Sequence, residues 1–238
     1  IRLLPECTTY SRETSEDIKI DNGYRRIVSY MESVQGGDIT KQAMRIRQLF
    51  EDFGADYIVL DTRNAGIAIY DLLANVMYDE TRGIEYVPLT CMNDEAIANR
   101  IRIEGATPCI YTINAVQKLN SDIALDFRRV LEGKKIDLLV SFEQAREEIL
   151  PNIKEYISTP DADTQIFYEA PFLETQALIS ETTSLLYEKK PQTGAIVISE
   201  QGTNRKDRYT SISYGSWFAS QLEKDLISSS EDYEYATF

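Results

Sequence analysis

The sequence predicts an α/β protein, a mixed β-sheet covered by helices, and three observations carry that expectation. Short β-branched and aromatic runs alternate along the chain with amphipathic stretches of helical period. One continuous apolar run, residues 57–60, has the pattern of a strand buried on both faces. The 238 residues are 43% apolar and 10% aromatic, enough for a substantial core.

Residues 1–4 form a first extended run and 24–31 a second, separated by the polar, turn-rich residues 8–21 and closed by Gly36 and Gly37. A helix is expected over 40–53. Ala43, Ile46, Phe50 and Phe53 recur at helical spacing, Met44 and Leu49 lie beside them, and Arg45, Arg47 and Gln48 fill outward positions before Gly54 ends it. The run 57–60 ends directly in Asp61. The turn 62–66 then leads to a second helix, with Ile69, Leu72, Leu73, Val76 and Met77 expected inside. A strand over 109–113, a helix over 116–131 stopped by Gly133, and an extended run at 136–140 follow. From Phe142 the composition turns helical and acidic, broken by Pro151, Pro160 and Pro171, as far as Pro191. A helical insertion at about 142–190 is therefore expected before the last strand, its longest helix spanning about 172–189. Residues 195–199 return to a strand, 200–206 form a polar loop, and 207–227 form an amphipathic helix with Ile212, Trp217, Phe218 and Leu222 inward. Without internal repeats or a low-complexity linker, 1–238 reads as a single domain.

The formal charge is −14 with a pI near 4.5, which at first argues against nucleic acid as a partner. The charge is unevenly spread. Residues 137–188 hold eleven acids against Arg146 and Lys154, a net −9, and Glu231, Asp232 and Glu234 add −3 within the tail 229–238. The remaining residues carry −2 and can still present a basic face. A solvated acidic subregion with a disordered tail is expected, a dedicated regulatory role being the alternative.

The chain has no histidine. That excludes Ser-His-Asp and Cys-His nucleophile systems, histidine-ligated zinc or haem, and an imidazole proton shuttle. Cys7, Cys91 and Cys109 are widely spaced with no C-x-x-C pair, so neither a zinc knuckle nor a disulfide framework is expected, and a reducing intracellular compartment is. No apolar run reaches the length of a membrane span. The opening Ile-Arg-Leu-Leu-Pro has no signal-peptide pattern and reads as a cut through a larger protein.

Two carboxylates stand out. Asp61 ends the buried strand, at the sheet edge where open α/β sheets bind ligands, and Arg63-Asn64-Ala65-Gly66 then feeds a helix N-terminus. Asp207 follows the last strand and begins a helix, flanked by Arg205, Lys206 and Arg208. For each, the plain alternative is a cap on its turn or helix. The cations around Asp207 suit phosphate approach beside a metal-binding acid. A further basic group, Lys118, Arg128, Arg129, Lys134 and Lys135, is diluted by Asp122, Asp126 and Glu132. Carboxylates without histidine favour a hard cation, Mg²⁺ or Mn²⁺, and paired ions of this kind cleave phosphodiesters without imidazole. A two-carboxylate glycosidase competes less well, since the one Trp falls in mid-helix.

These residues carry a family resemblance. Tyr57-Ile-Val-Leu-Asp61-Thr-Arg-Asn-Ala-Gly66 through Tyr70-Asp-Leu-Leu73 resembles the strand-Asp-turn-Gly-helix element of the nuclease domain of phage large terminase subunits, the DNA-packaging motor proteins. Lys118-Leu-Asn120 and Phe127-Arg-Arg-Val-Leu-Glu-Gly133-Lys-Lys-Ile136 resemble that family's Lys-Asn, Leu, Gly-Lys-Ile helix, and Lys206-Asp207-Arg208 with Ser211 and Tyr214 resembles its late Asp motif. The similarity spans residues 1 to about 228.

The resemblance implies a ribonuclease H-like mixed sheet flanked by helices, whose acids bind two Mg²⁺ or Mn²⁺ ions and cleave double-stranded DNA during packaging. Asp61 matches the family's central metal-binding acid and Asp207 its late one; Lys206, Arg208 and Arg63 are the expected DNA contacts. The family's earlier Asp, on the first strand, is expected upstream of Ile1, with Glu6, Asp17 and Asp21 as weak in-chain stand-ins. The ATPase domain is expected to lie elsewhere, because no G-x-x-x-x-G-K-[ST] occurs. Implied partners are duplex DNA, the terminase ATPase domain, the small terminase and the portal, with no membrane, a monomeric isolated domain and action in the host cytoplasm. The competing readings are another ribonuclease H-like nuclease, of resolvase or transposase type, and a catalytically silent interaction domain of the motor.

Overall fold

In the computed structural model, residues 1–5, 23–34, 36–159, 161–201 and 205–234 are described. Residues 8–21, together with Glu6, Cys7 and the stand-ins Asp17 and Asp21, lie outside the described residues, as do Pro160, the middle of the 200–206 loop and residues 235–238. The elements in chain order are β1 (Arg2–Pro5), β2 (Tyr24–Ile27), α1 (Ile39–Asp52), β3 (Ile58–Asp61), α2 (Gly66–Leu73), β4 (Met77–Asp79), β5 (Ile84–Tyr86), β6 (Leu89–Cys91), α3 (Glu95–Ala98), β7 (Thr107–Ile113), α4 (Gln117–Glu132) and β8 (Ile136–Asp137). They continue with α5 (Phe142–Gln144), which runs on as a π turn to Ile149 and a 3₁₀ turn to Asn152, then α6 (Lys154–Ser158), α7 (Ala162–Ser184), β9 (Leu186–Lys189), β10 (Ile196–Ser199) and α8 (Asp207–Glu234). The protein is mixed α/β, with small sheets that contain parallel strands. Its chain forms two compact units, one of residues 34–116 and one of residues 1–33 with 117–238. Among the described residues no helix is long and apolar enough to cross a membrane.

The 34–116 unit is built on a parallel sheet of order β3-β7-β6, with Asp61 in register with Ile113 and an irregularity at Thr90/Cys91. Asp38 caps α1 by accepting from the Thr40 N–H at 2.9 Å. Leu60, Ile69, Tyr70, Leu73, Leu89 and Ile110 form the heart of its core. The run 57–60 is not buried on both faces as its sequence suggests. Tyr57 precedes β3 and is exposed, Ile58 and Val59 are half-buried, and Leu60 alone of the four is buried. Two helix faces also differ from the periodic reading. Phe53 and Val76 are exposed, and Arg47, assigned outward, is 3% exposed. Arg47 is accommodated because its guanidinium lies 5.1 Å from the Phe50 ring centroid and 5.2 Å from that of Tyr86, with Glu51 at 3.0 Å. The antiparallel hairpin β4-β5 was not expected. Its turn closes on Gly83, whose positive φ of 65° suits glycine, with the Gly83 N–H donating to the Asp79 carbonyl.

In the other unit, β2 lies between β1, antiparallel to it, and β8, parallel to it. Val28, Phe127, Leu178 and Ile212 form its core cluster. Arg26 on β2 is buried; it donates to Ser220 Oγ at 2.7 Å and to Glu223 at 3.0 Å, so α8 carries its counter-charge. The insertion is helical, with one correction. Its long helix begins at Ala162, runs through Pro171 and stops at Ser184, where the sequence reading places 172–189. Pro171 forfeits a helix hydrogen bond, but it lies on the buried stripe Pro171, Thr175, Leu178 and Glu181, and that packing holds the helix together. Residues 186–189 are a strand. They pair antiparallel with β10 across the turn between Lys190 and Ala195. The last helix extends to Glu234, so much of the expected disordered tail is helical backbone.

Candidate functional site

Asp61 ends β3 half-buried, and its role in the turn is specific. Oδ1 accepts the Arg63 N–H at 3.0 Å, an Asx-type turn, while the N-cap position of α2 falls to Ala65 with no side-chain cap. Asp61 therefore caps its turn and not the helix. Thr62 locks the strand end, its N–H and Oγ1 donating to the Ile113 carbonyl at 3.0 and 3.3 Å. Gly66 is required by close approach: a Cβ there would lie 1.7 Å from the Asp61 carbonyl oxygen. The second carboxylate oxygen of Asp61 has no partner among the described residues, so the turn leaves one hard oxygen donor for a cation.

The adjoining carboxyl ends of β6 and β7 are tied by a residue that the sequence reading passed over. Asn93 donates from Nδ2 to the Thr112 carbonyl at 2.9 Å and accepts the Thr112 N–H at 2.8 Å, so its side-chain amide prolongs the ladder past Cys91. Cys91 Sγ lies 3.3 Å from Thr112 Oγ1 in the same buried cluster. Asp79, likewise missed, is 2% exposed and accepts from Thr81, Gln48, Arg82 and Tyr86. Hydrogen bonds from the Thr81 hydroxyl and Gln48 hold its carboxyl down at about 2. The available signal was the run Asp79-Glu-Thr-Arg-Gly83, a turn between two β-capable triplets.

Asp207 is the first residue of α8 and its side chain is 79% exposed, with Arg205 Nη1 at 4.0 Å. The first-turn bond runs from the Thr210 N–H to the Lys206 carbonyl, which makes Asp207 a favourable first-turn acid on the helix dipole. The cations beside it have work within the fold. Lys206 Nζ donates to the Ile198 carbonyl at 3.1 Å. Arg208 donates from Nε to Glu174 at 2.6 Å and from Nη1 to Glu181 at 3.4 Å, and Glu181 also accepts the Tyr209 N–H at 2.8 Å. Burial opposes ionisation of Glu174, yet the bonds from Arg208 and Ser33 bring its carboxyl below the usual range. Arg63 is exposed. The further basic group on α4 is internally paired in part, Lys118 with Asp122 at 3.7 Å and Arg128 with Glu132 at 2.7 Å.

Asp61 belongs to the 34–116 unit and Asp207 to the other. Among the described residues, no three Asp, Glu or Cys side chains gather into a metal-holding group. Known family models, curated proteins and solved structures offer this chain no match.

Proposed function

We propose that the chain is the nuclease domain of a viral DNA-packaging motor, similar to the large terminase subunits, and that it hydrolyses duplex DNA with Mg²⁺ or Mn²⁺. The supporting observation is the seat of Asp61. Its carboxylate stands at the carboxyl end of a parallel strand, one oxygen committed to the turn and one without a partner among the described residues, above a glycine imposed by close backbone approach. Carboxyl ends of such strands are where open α/β sheets take their ligands. β3 is also an edge strand among the described residues.

In this reading Asp61 is the central metal ligand and Asp207 the late one. The bound ions would supply an activated water and stabilise the leaving oxygen. Arg63 is the first choice for a DNA contact, because Lys206 and Arg208 already bind a carbonyl and two carboxylates. A ribonuclease H-like sheet, the motor's ATPase, small terminase and portal as partners, and action in the host cytoplasm belong to the same proposal.

The test is a Mn²⁺ titration followed by electron paramagnetic resonance, with cleavage of linear and branched duplexes in parallel. Asp61→Asn and Asp207→Asn are each expected to weaken Mn²⁺ binding at least tenfold, and cleavage is expected on linear duplex without a branch requirement. Titrations unchanged in both variants would overturn the reading; a strict preference for branched DNA would assign the chain to the resolvase type instead.

A further inference from the structure

The hairpin β9-β10 has two outer edges, and the fold treats them differently. Its register pairs Ile196 with Lys189 and Ile198 with Tyr187, and the Lys190 N–H donates to the Ala195 carbonyl at 2.9 Å. Bonded and non-bonded pairs alternate along an antiparallel ladder. Glu188 and Leu186 therefore bond across to β10, while the backbone groups of Tyr187 and Lys189 point away from it, as do those of Ile196 and Ile198 on the other strand. On the β10 side those groups are met: the Ile196 N–H donates to Ser121 Oγ at 2.9 Å, and the Ile198 carbonyl accepts from Lys206. On the β9 side the outward groups of Tyr187 and Lys189 have no partner among the described residues, and all four β9 residues are exposed.

Against the hairpin lies a cleft of about 150 Å³, lined by Phe127, Arg128, Leu131, Tyr187, Ile198 and Tyr209 among others, with the Arg128 guanidinium 5.4 Å from the Tyr187 ring centroid. Space of that size accepts one benzene-sized group. Burial pushes the phenol of Tyr209, on the cleft wall, up to about 12. Tyr187 and its cross-strand partner Ile198 both line the cleft, so the cleft lies on their face of the hairpin, and by the two-residue period Lys189 is on that face too. Lys189 has no ion-pair partner among the described residues.

We propose that the open edge of β9 binds an extended peptide segment by antiparallel strand addition, with one apolar side chain in the cleft beside Tyr187 and an acidic side chain two residues before it, opposite Lys189. Strand addition supplies backbone hydrogen bonds, and alternate side chains supply selectivity. The occupant is a short acidic-apolar peptide and not a second copy of this chain. On the cleft face β9 itself offers only Tyr187 and Lys189, with no acid for the lysine. A four-residue edge also buries far less than the roughly 1,200 Å² of a stable assembly.

The probe is a fluorescein-labelled peptide, Thr-Val-Glu-Val-Phe-Val-Thr, followed by fluorescence polarisation against the full chain. Saturable binding is expected, weakened at least tenfold when the peptide's Phe is replaced by Asp or its Glu by Lys. Lys189→Pro removes the outward N–H together with the ammonium and leaves the β10 ladder intact, and Lys189→Ala removes the ammonium alone; binding is expected to fall at least tenfold in the Pro variant and by less in the Ala variant, with unchanged circular dichroism spectra. Lys189→Glu keeps every backbone bond and is expected to reverse the preference, toward the Lys peptide. Equal affinity for all three peptides, no saturable binding at millimolar peptide, or self-association abolished by Lys189→Pro would each overturn the proposal.

Discussion

Replacing Gly66 with Ala tests the turn that seats Asp61. The added methyl would lie 1.7 Å from the Asp61 carbonyl oxygen and 2.8 Å from its carbon, while real Cβ contacts essentially never fall under 3.0 Å, so something must move by about 1.3 Å. The obstacle is backbone and not the end of a flexible side chain. Retreat on the strand side strains the Thr62 bonds to Ile113, and retreat on the helix side strains the Gly66 N–H bond to the Arg63 carbonyl at 2.9 Å. Overpacking of this kind costs about 1–3 kcal/mol, and a loosened hydrogen bond adds about 1 kcal/mol. A loss of about 3 kcal/mol is expected, which raises the opening of β3 and α2 by roughly a hundredfold. Amide hydrogen exchange followed by mass spectrometry reads this directly, since Trp217, the one tryptophan, lies in the other unit and does not report on the turn. Exchange at residues 58–73 indistinguishable from the parent chain, with stability within about 0.5 kcal/mol of it, would refute the close-approach reasoning.

Asp79 sets an acid limit on the 34–116 unit. Its carboxyl is at about 2 when folded against an ordinary 3.8, so its stabilising contribution is complete above about pH 4 and is lost as pH falls through about 2. Asp79→Asn is expected to flatten stability against pH in that window, measured by acid unfolding, and an unchanged slope would contradict it. Arg208→Ala takes the counter-charge from Glu181, whose side chain is 7% exposed and keeps only the Tyr209 N–H among the described residues, and is expected to cost about 2–3 kcal/mol in urea unfolding. A loss confined to DNA affinity, with stability intact, would instead return Arg208 to the DNA contacts. Asn93→Asp removes the donor to the Thr112 carbonyl and sets a carboxylate against it; a loss of about 2 kcal/mol is expected, with faster exchange in β7.

Much of the fold was legible because it is local. The helices at α1, α2, α4 and α8 and the strands β3, β7 and β10 follow from periodicity, and Gly54 and Gly133 follow α1 and α4 as expected. The strand β9 and the hairpin β4-β5 were missed. Strands of three or four residues carry too little pattern, although the turns around Gly83 and Gly194 were available as signals. Arg47 and Arg26 were unreadable as buried groups, because what admits them, two aromatic rings for one and Glu223 with Ser220 for the other, comes largely from residues distant in sequence. The bonds of Lys206 to the Ile198 carbonyl and of Arg208 to Glu174 and Glu181 were likewise not readable from the cluster of cations around Asp207.

The sequence by itself determined the fold class, the absence of imidazole chemistry, and the seat of Asp61 at the end of a strand before a glycine turn. Those depend on composition and on neighbours a few residues apart. Only the tertiary structure decided which charges are spent and which edges are open. Lys206 and Ser121 close one side of the last hairpin while the other side has no partner among the described residues, and among those residues Asp61 keeps one carboxylate oxygen beyond its turn. A partner's identity is a property of distance in space: Ser121 and Ile196 meet although 75 residues separate them.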